Sequence, residues 1–308
     1  MRGLSSSPPV CSRPPLEPLA EGGAGPPIVF IHGLIESSAM WRAPPVRAAL
    51  EGRRAFAAPL PGHHPWRLGE GDAGLFQADR LIEAYAGALR AAFGDEPARL
   101  VGHSTGALIA LELARLEPER VADVMVFCAP GAGDLDGRRS LSARLALAPG
   151  LGPHAFRAML RWWLRDEARF RRGVATALGD REAALTVETG MLDDLRRSEP
   201  AQLLACARWV AARDAFARLP EVRQPVCVVL STRDPVVPPD HQLRVARALP
   251  RGFTLMLDAG HIPTFERPFD AALALMAWLG REARAEKAKA PPPRPPAPAP
   301  LAKAGALV

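Results

Sequence analysis

The sequence predicts a doubly wound α/β protein, a mostly parallel sheet flanked by helices, with an all-helical insertion between two core strands. Three observations predict it. Short apolar runs bounded by turn-forming residues recur along the chain, the mark of strands buried on both faces. Amphipathic helical segments alternate with them, and that alternation builds parallel sheets with right-handed crossovers. From about Gly131 to Pro220 the strand-like runs vanish and arginine-rich helical segments replace them.

Met1 to Pro27 holds seven prolines, lacks the alternation of a hairpin, and reads as a flexible lead-in. Ile28-Val29-Phe30-Ile31 is the first strand and runs into His32-Gly33-Leu34. Ala55 to Ala58 is a second, closed by the turn Pro59-Leu60-Pro61-Gly62. Leu75 to Phe93 has helical spacing and stops at Gly94. The strand Ala98 to Val101 leads into Gly102-His103-Ser104-Thr105-Gly106, which opens a helix over Ala107 to Ala114. Val121 to Cys128 is a further strand, ending at Ala129-Pro130-Gly131. Helical segments follow around Phe156 to Phe170, Arg181 to Glu188 and Pro200 to Leu219. Strands resume at Val226 to Leu230 and Phe253 to Leu257, with helices over Asp240 to Leu249 and Phe269 to Ala285. Lys287 to Val308 is too rich in proline to pack and reads as a disordered, polyproline-like tail. The organisation is therefore a lead-in (1–27), a core (28–130 and 221–286), a helical cap (131–220) and a tail (287–308).

A chain of 308 residues with 48% hydrophobic content has room for one large domain carrying an insertion. No apolar run reaches the ~20 residues that span a bilayer, and no segment of signal-peptide type opens the chain. The four cysteines are scattered, with no C-x-x-C, and Cys128 and Cys227 fall inside strands as buried thiols. Both features predict a cytoplasmic protein. Of the formal charge of +6, six basic and two acidic residues between Arg281 and Val308 contribute +4, so the body is nearly balanced. No nucleic-acid partner is expected.

Chemistry is concentrated in three loops. In Gly102 to Gly106 the serine sits at the tip of a strand-to-helix turn, where larger flanking residues would collide with neighbouring elements. Its hydroxyl needs a base, and that base needs an orienting group. Of the seven histidines, His261 in Leu257-Asp258-Ala259-Gly260-His261 fits the base, Gly260 allowing the loop to bend back. Asp234, leaving the preceding strand and stiffened by Pro235 and Pro238, fits the acid; Asp258 and Asp134 compete for that role. The order serine, acid, histidine suits this architecture. The oxyanion donors should be the amides of Thr105 and Leu34. His32 should brace its loop, His103 should pack beside the elbow, and His63 and His64 read as turn residues. Neither a metal-ligand pattern nor a phosphate-cradling glycine loop is present, so no metal or cofactor is expected.

His32-Gly33, the Pro59 to Gly62 turn, Gly102 to Gly106, Asp234 and Gly260-His261 stand in the order and spacing of the α/β-hydrolase superfamily. The chain resembles its capped, esterase-like members over roughly residues 28 to 285. The resemblance implies a serine hydrolase with an acyl-serine intermediate and no cofactor, cleaving a carboxylic ester of a small-molecule acyl substrate. Thioester hydrolysis, carbon–carbon bond hydrolysis and acyl transfer use the same three groups, and a ligand-sensing protein could keep the same fold. Two departures stand out: the turn lacks the Asp and Gly-x-Gly of many relatives, and the proline-rich start does not resemble their opening hairpin. The sheet should then be short at one edge. Met159, Trp162 and Trp163 are candidates for the substrate pocket. Arg157, Arg161, Arg165, Arg171 and Arg172 could meet an anionic substrate, although a solvated helix face explains them more simply.

Overall fold

The computed structural model describes residues 12–20, 22–135, 141–187 and 189–289. Seven strands among the described residues form one sheet: β1 (Glu17–Pro18), β2 (Ala24–Ile31), β3 (Arg53–Ala58), β4 (Ala98–His103), β5 (Val121–Phe127), β6 (Val226–Ser231) and β7 (Gly252–Leu257). Their order across the sheet is β1-β3-β2-β4-β5-β6-β7, and every pairing is parallel except that of β1 with β3. The expected doubly wound class is therefore the observed one.

The central strands are buried on both faces, as their unbroken apolar sequences require. β4 is buried throughout, including Arg99. That arginine is tolerated because its partner across the ladder is Asp123, whose carboxylate takes its Nε and Nη2 at 2.8 and 2.7 Å, while the guanidinium stacks on Trp278 at 4.0 Å. β7 closes the far edge and alternates exposed with half-buried residues.

Helices cover both faces. One apolar cluster packs α1 (Pro44–Ala49) and α11 (Pro268–Lys289) on Phe30, Val101 and Phe127. The other packs α2 (Arg80–Phe93), α3 (Thr105–Leu116) and α9 (Pro239–Ala248) on Val29, Leu100 and Val126. Among the described residues between β5 and β6 the main elements are helices, α4 (Leu141–Leu147), α5 (Gly152–Trp163), α6 (Glu167–Val174), α7 (Gly190–Arg197) and α8 (Pro200–Ala211), which make up the cap insertion. Its Phe156, Leu160, Phe170 and Leu178 join the first cluster, together with Ile262 and Phe265 of α10 (Pro263–Glu266) and the loop before it.

Several boundaries differ from the sequence reading. The lead-in does not extend to residue 27: Leu19 is buried, β1 adds an antiparallel edge, and β2 already starts at Ala24. Two residues suffice for β1 because its neighbour β3 presents a ready hydrogen-bonding edge, so no hairpin periodicity marks it. The helix predicted from Leu75 starts at Arg80, because Ala78 takes a left-handed φ of 44° and separates it from the 3₁₀ turn Glu70–Phe76. The segment Phe156 to Phe170 is two helices, since the Asp166 carboxylate accepts the Arg169 N–H at 2.8 Å and caps a new start. α8 ends at Ala211, where Asp214 bridges back to Ala132. At the other terminus α11 runs to Lys289, past the expected end of the core, and the rest of the proline-rich tail lies outside the described residues.

Candidate active site

The site forms where β2, β4, β5, β6 and β7 end, at the carboxyl edge of the sheet. Ser104 sits between β4 and α3 with φ 51° and ψ −115°, a strained conformation that its surroundings enforce. A Cβ at Gly102 would lie 2.5 Å from Ala107 Cα, and one at Gly106 would strike the carbonyl oxygens of Ile31 and His32. The turn is thus as tight as the two glycines implied. Ser104 occupies the N-cap position of α3, yet its hydroxyl makes no cap bond. It meets His261 Nε2 instead, at 3.0 Å.

His261 Nδ1 lies 2.8 Å from Asp234 Oδ2. Both Asp234 oxygens are saturated: Oδ1 accepts the amides of Val236 and Val237 at 2.8 and 2.9 Å, and Oδ2 also accepts Gln242 Nε2 at 2.9 Å. Gln242 is itself fixed, donating to Val237 O and accepting from Ser231 N. A carboxylate held this way fixes the Nδ1–H tautomer of His261 and leaves a lone pair on Nε2 facing the serine. The competing acids stand elsewhere: Asp258 is exposed and paired with Arg233, and Asp134 is exposed.

The loop after β2 presents Leu34. Its neighbouring amides are taken, Gly33 N–H by Glu36 Oε2 at 2.7 Å and Ile35 N–H by His63 Nε2 at 3.2 Å. Thr105 is the first residue of α3, so its N–H is one of the helix's unsatisfied donors. His32 Nδ1 donates to Gly33 O at 2.8 Å and its Nε2 accepts Leu60 N–H at 3.2 Å. His63 repeats the arrangement with Pro61 O and Ile35 N. Burial lowers the pKa of both rings, so these histidines are neutral struts between the loop and the Pro59–Gly62 turn. His103 packs beside the elbow as expected, its ring 4.9 Å from that of His261.

Gly260 serves a different purpose from the predicted bend. Its φ lies outside the left-handed region, whereas a Cβ there would lie 2.6 Å from Leu178 C and against Gly179 N of the cap. The base loop and the cap touch backbone to backbone: His261 N–H donates to Ala177 O at 2.8 Å. Glu266, which the sequence reading missed, stitches this contact. Its carboxylate accepts the amides of Gly179, Asp180 and Gly260 at 2.9, 3.0 and 2.9 Å and the Arg233 guanidinium at 3.1 Å.

Of the pocket candidates, Met159 and Trp163 are half-buried against the first apolar cluster. Trp162 is not a pocket residue: it is 54% exposed on the outer face of α5, under the Arg169 guanidinium. Arg171 is tied to Glu167 and to the carbonyls of Ala184 and Leu185, Arg161, Arg165 and Arg172 are exposed, and Arg157 lines a separate open groove of about 600 Å³ between α5 and α8. The grouping of His103, Cys128 and His261 has donor atoms within 4.8 Å of one another. It makes a poor metal centre, because all four imidazole nitrogens are engaged in hydrogen bonds and burial pushes the Cys128 thiol well up. No helix among the described residues is long and apolar enough to cross a membrane.

Comparison with known proteins agrees with this fold. The chain is 30% identical over 256 residues to a pimeloyl-[acyl-carrier protein] methyl ester esterase of Aromatoleum aromaticum, covering 81% of this chain and 96% of that one. Among solved structures it resembles a hydrolase from Pseudomonas aeruginosa, with TM-score 0.65 at 19% identity over 84% and 92% of the two chains. It also resembles a thermophilic esterase from Thermogutta terrifontis, with TM-score 0.63 at 22% identity over 84% and 91%. A model of the alpha/beta hydrolase family matches residues 28–275, and the chain belongs to that family.

Proposed function

We propose that the protein is a serine hydrolase that cleaves a carboxylic ester through an acyl-serine intermediate. One observation carries the reading: Ser104 Oγ, His261 and Asp234 form an unbroken hydrogen-bonded chain of 3.0 and 2.8 Å, in which a carboxylate on Nδ1 favours the tautomer that a base requires. In this mechanism Ser104 Oγ attacks the ester carbonyl as its proton passes to His261 Nε2. The negative oxygen of the tetrahedral intermediate is received by the amides of Leu34 and Thr105, reinforced by the N-terminus of α3. Its collapse breaks the carbon–oxygen bond, and the alcohol leaves with the proton from His261. Water then gives a proton to the same nitrogen, attacks the acyl-serine and releases the acid. Asp234 stabilises the imidazolium in both halves.

The half-buried apolar residues Met159 and Trp163 of the cap favour an apolar acyl chain of small to medium length, and the esterase relative supports an ester as the substrate class. Three buried free cysteines suit a reducing compartment, so cytoplasmic residence is part of the same proposal. The test is labelling by a fluorophosphonate together with hydrolysis of short p-nitrophenyl esters. Both should be lost in Ser104→Ala, and labelling that persists there refutes the assignment. A panel of esters, thioesters and vinylogous diketones then separates ester cleavage from the other reactions open to these groups.

A further inference from the structure

Glu36 is a carboxylate in a place that usually excludes one. Its side chain is 5% exposed, beneath the loop that presents Leu34. One oxygen, Oε2, accepts both Gly33 N–H at 2.7 Å and His103 Nδ1 at 2.8 Å. The second nitrogen of that fully buried ring, His103 Nε2, lies 2.6 Å from the carbonyl oxygen of His261. A carboxylate on one nitrogen and a carbonyl on the other both demand N–H donors, and an imidazole with two N–H groups is a cation. Burial opposes that charge, but Glu36 and the two hydrogen bonds outweigh it and hold the His103 pKa above its ordinary value. Burial likewise pushes Glu36 up, and His103 brings it below its ordinary value. Gly33 makes room for the pair: a Cβ there would stand 2.7 Å from Glu36 Oε2 and 3.0 Å from His103 Nδ1.

We propose that Glu36 and His103 form a buried ion pair that positions the hydrolytic centre, tying the Leu34 loop, the Ser104 elbow and the His261 loop together and holding a fixed positive charge against the His261 ring. The inference rests on the hydrolase reading above. The hydrogen-bonded path runs from Gly33 N–H through Glu36 and His103 to the backbone of His261, so all three working loops share one support. The cation has a second effect. Its ring centroid lies 4.9 Å from that of His261, close enough for a charge on one ring to act on the other. The other groups facing the pair are Asp234 from the loop after β6, Cys128 at the end of β5 and the neutral His32 after β2.

The test uses the full chain with ¹⁵N-labelled histidine. At pH 7 His103 should show two protonated nitrogens, and in Glu36→Gln, which keeps an oxygen for the Gly33 amide, it should become neutral. Hydrolysis supplies the second arm. In His103→Gln the acid limb of the kcat/KM profile should move upward by about one pH unit, because a repelling cation is gone and Glu36 is not. A structural filler would leave that limb where it is. A neutral His103 in the native chain, a cation that survives Glu36→Gln, or an unmoved acid limb overturns the proposal. Failure of the native chain to label at Ser104 overturns the hydrolase reading instead, and the nitrogen spectrum still decides whether the pair exists.

Discussion

Replacing Asp234 by Asn tests the hydrogen-bonded chain at its most informative link. The orientation of the new side chain is dictated by its neighbours. Val236 and Val237 both donate to Oδ1, so the amide oxygen must stay there. The amide NH₂ then occupies the position of Oδ2 and faces His261 Nδ1 and Gln242 Nε2, which now face a donor. His261 can relieve the conflict by moving its proton from Nδ1 to Nε2. That tautomer turns a hydrogen toward Ser104 and cannot accept one. The geometry survives while the base is lost, and an analogous change in a serine protease triad lowers kcat about 10⁴-fold, or about 5.4 kcal/mol of barrier. Steady-state hydrolysis of a p-nitrophenyl ester measures the loss, and an unchanged circular dichroism spectrum shows that the fold persists. A folded Asp234→Asn protein that keeps more than about a tenth of native kcat refutes the assigned tautomer and with it the role of the acid.

Two further outcomes follow from the buried charges. The depressed pKa of Glu36 gives stability that is present above its unfolded value of 4.5 and is lost as pH falls through the folded value. The raised pKa of His103 gives stability present below its unfolded value of 6.5 and lost as pH rises through the folded value. The difference in unfolding free energy between the native chain and Glu36→Gln/His103→Gln should therefore be greatest between pH 4.5 and 6.5. Urea titrations across pH measure it, and a difference that does not vary with pH contradicts the ion pair. Glu266→Ala removes four hydrogen bonds linking the cap, the base loop and Arg233, and should cost about 3 kcal/mol of stability and expose the segment around Gly179 to proteolysis. A cost below about 1 kcal/mol would mean that the apolar contacts and the His261 N–H bond to Ala177 O suffice to hold the cap to the His261 loop.

Much of the candidate site was legible because its motifs are local. Gly102 and Gly106 announce a tight turn, and a parallel strand before each loop, buried for β4 and β6 and at the sheet edge for β7, fixes the edge of the sheet on which Ser104, Asp234 and His261 emerge. What escaped were the supporting contacts between distant residues that no motif marks. Glu36 reads as an ordinary loop acid, and its partner His103 is 67 positions away. The available signal was a carboxylate five residues beyond a buried strand and a histidine inside the elbow, and neither indicates the other. Glu266 is hidden in the same way by its cap partners. The helix break at Asp166 was missed because amphipathic spacing continues across it, and only the capping bond reveals the interruption. Trp162 shows the limit of composition: an aromatic in an apolar stretch faces water here because α5 turns its other side, with Phe156 and Leu160, to the core.

Gly260 separates two accounts of how the base is placed. Were the glycine needed for a bend, its φ would lie in the left-handed region and alanine would strain the backbone. It does not, and alanine can adopt the observed torsion. The obstacle is the cap, since a methyl group would lie 2.6 Å from Leu178 C and 2.8 Å from Leu178 Cα. Neither side yields cheaply, because His261 N–H is bonded to Ala177 O and Glu266 binds the amides on both sides of the contact. In Gly260→Ala the displacement falls on the residue next in sequence, the proposed base His261. A shift of about 1 Å there should lower kcat about 10²-fold while the sheet and its stability change little. A double variant that also enlarges Gly179, which a Cβ would bring 3.2 Å from Gly260 N, should be worse than either change alone. Hydrolysis by Gly260→Ala at the native rate would mean that the cap backbone can retreat from the base loop. In that case His261 is placed by Asp234, His103 and the core, without help from the cap.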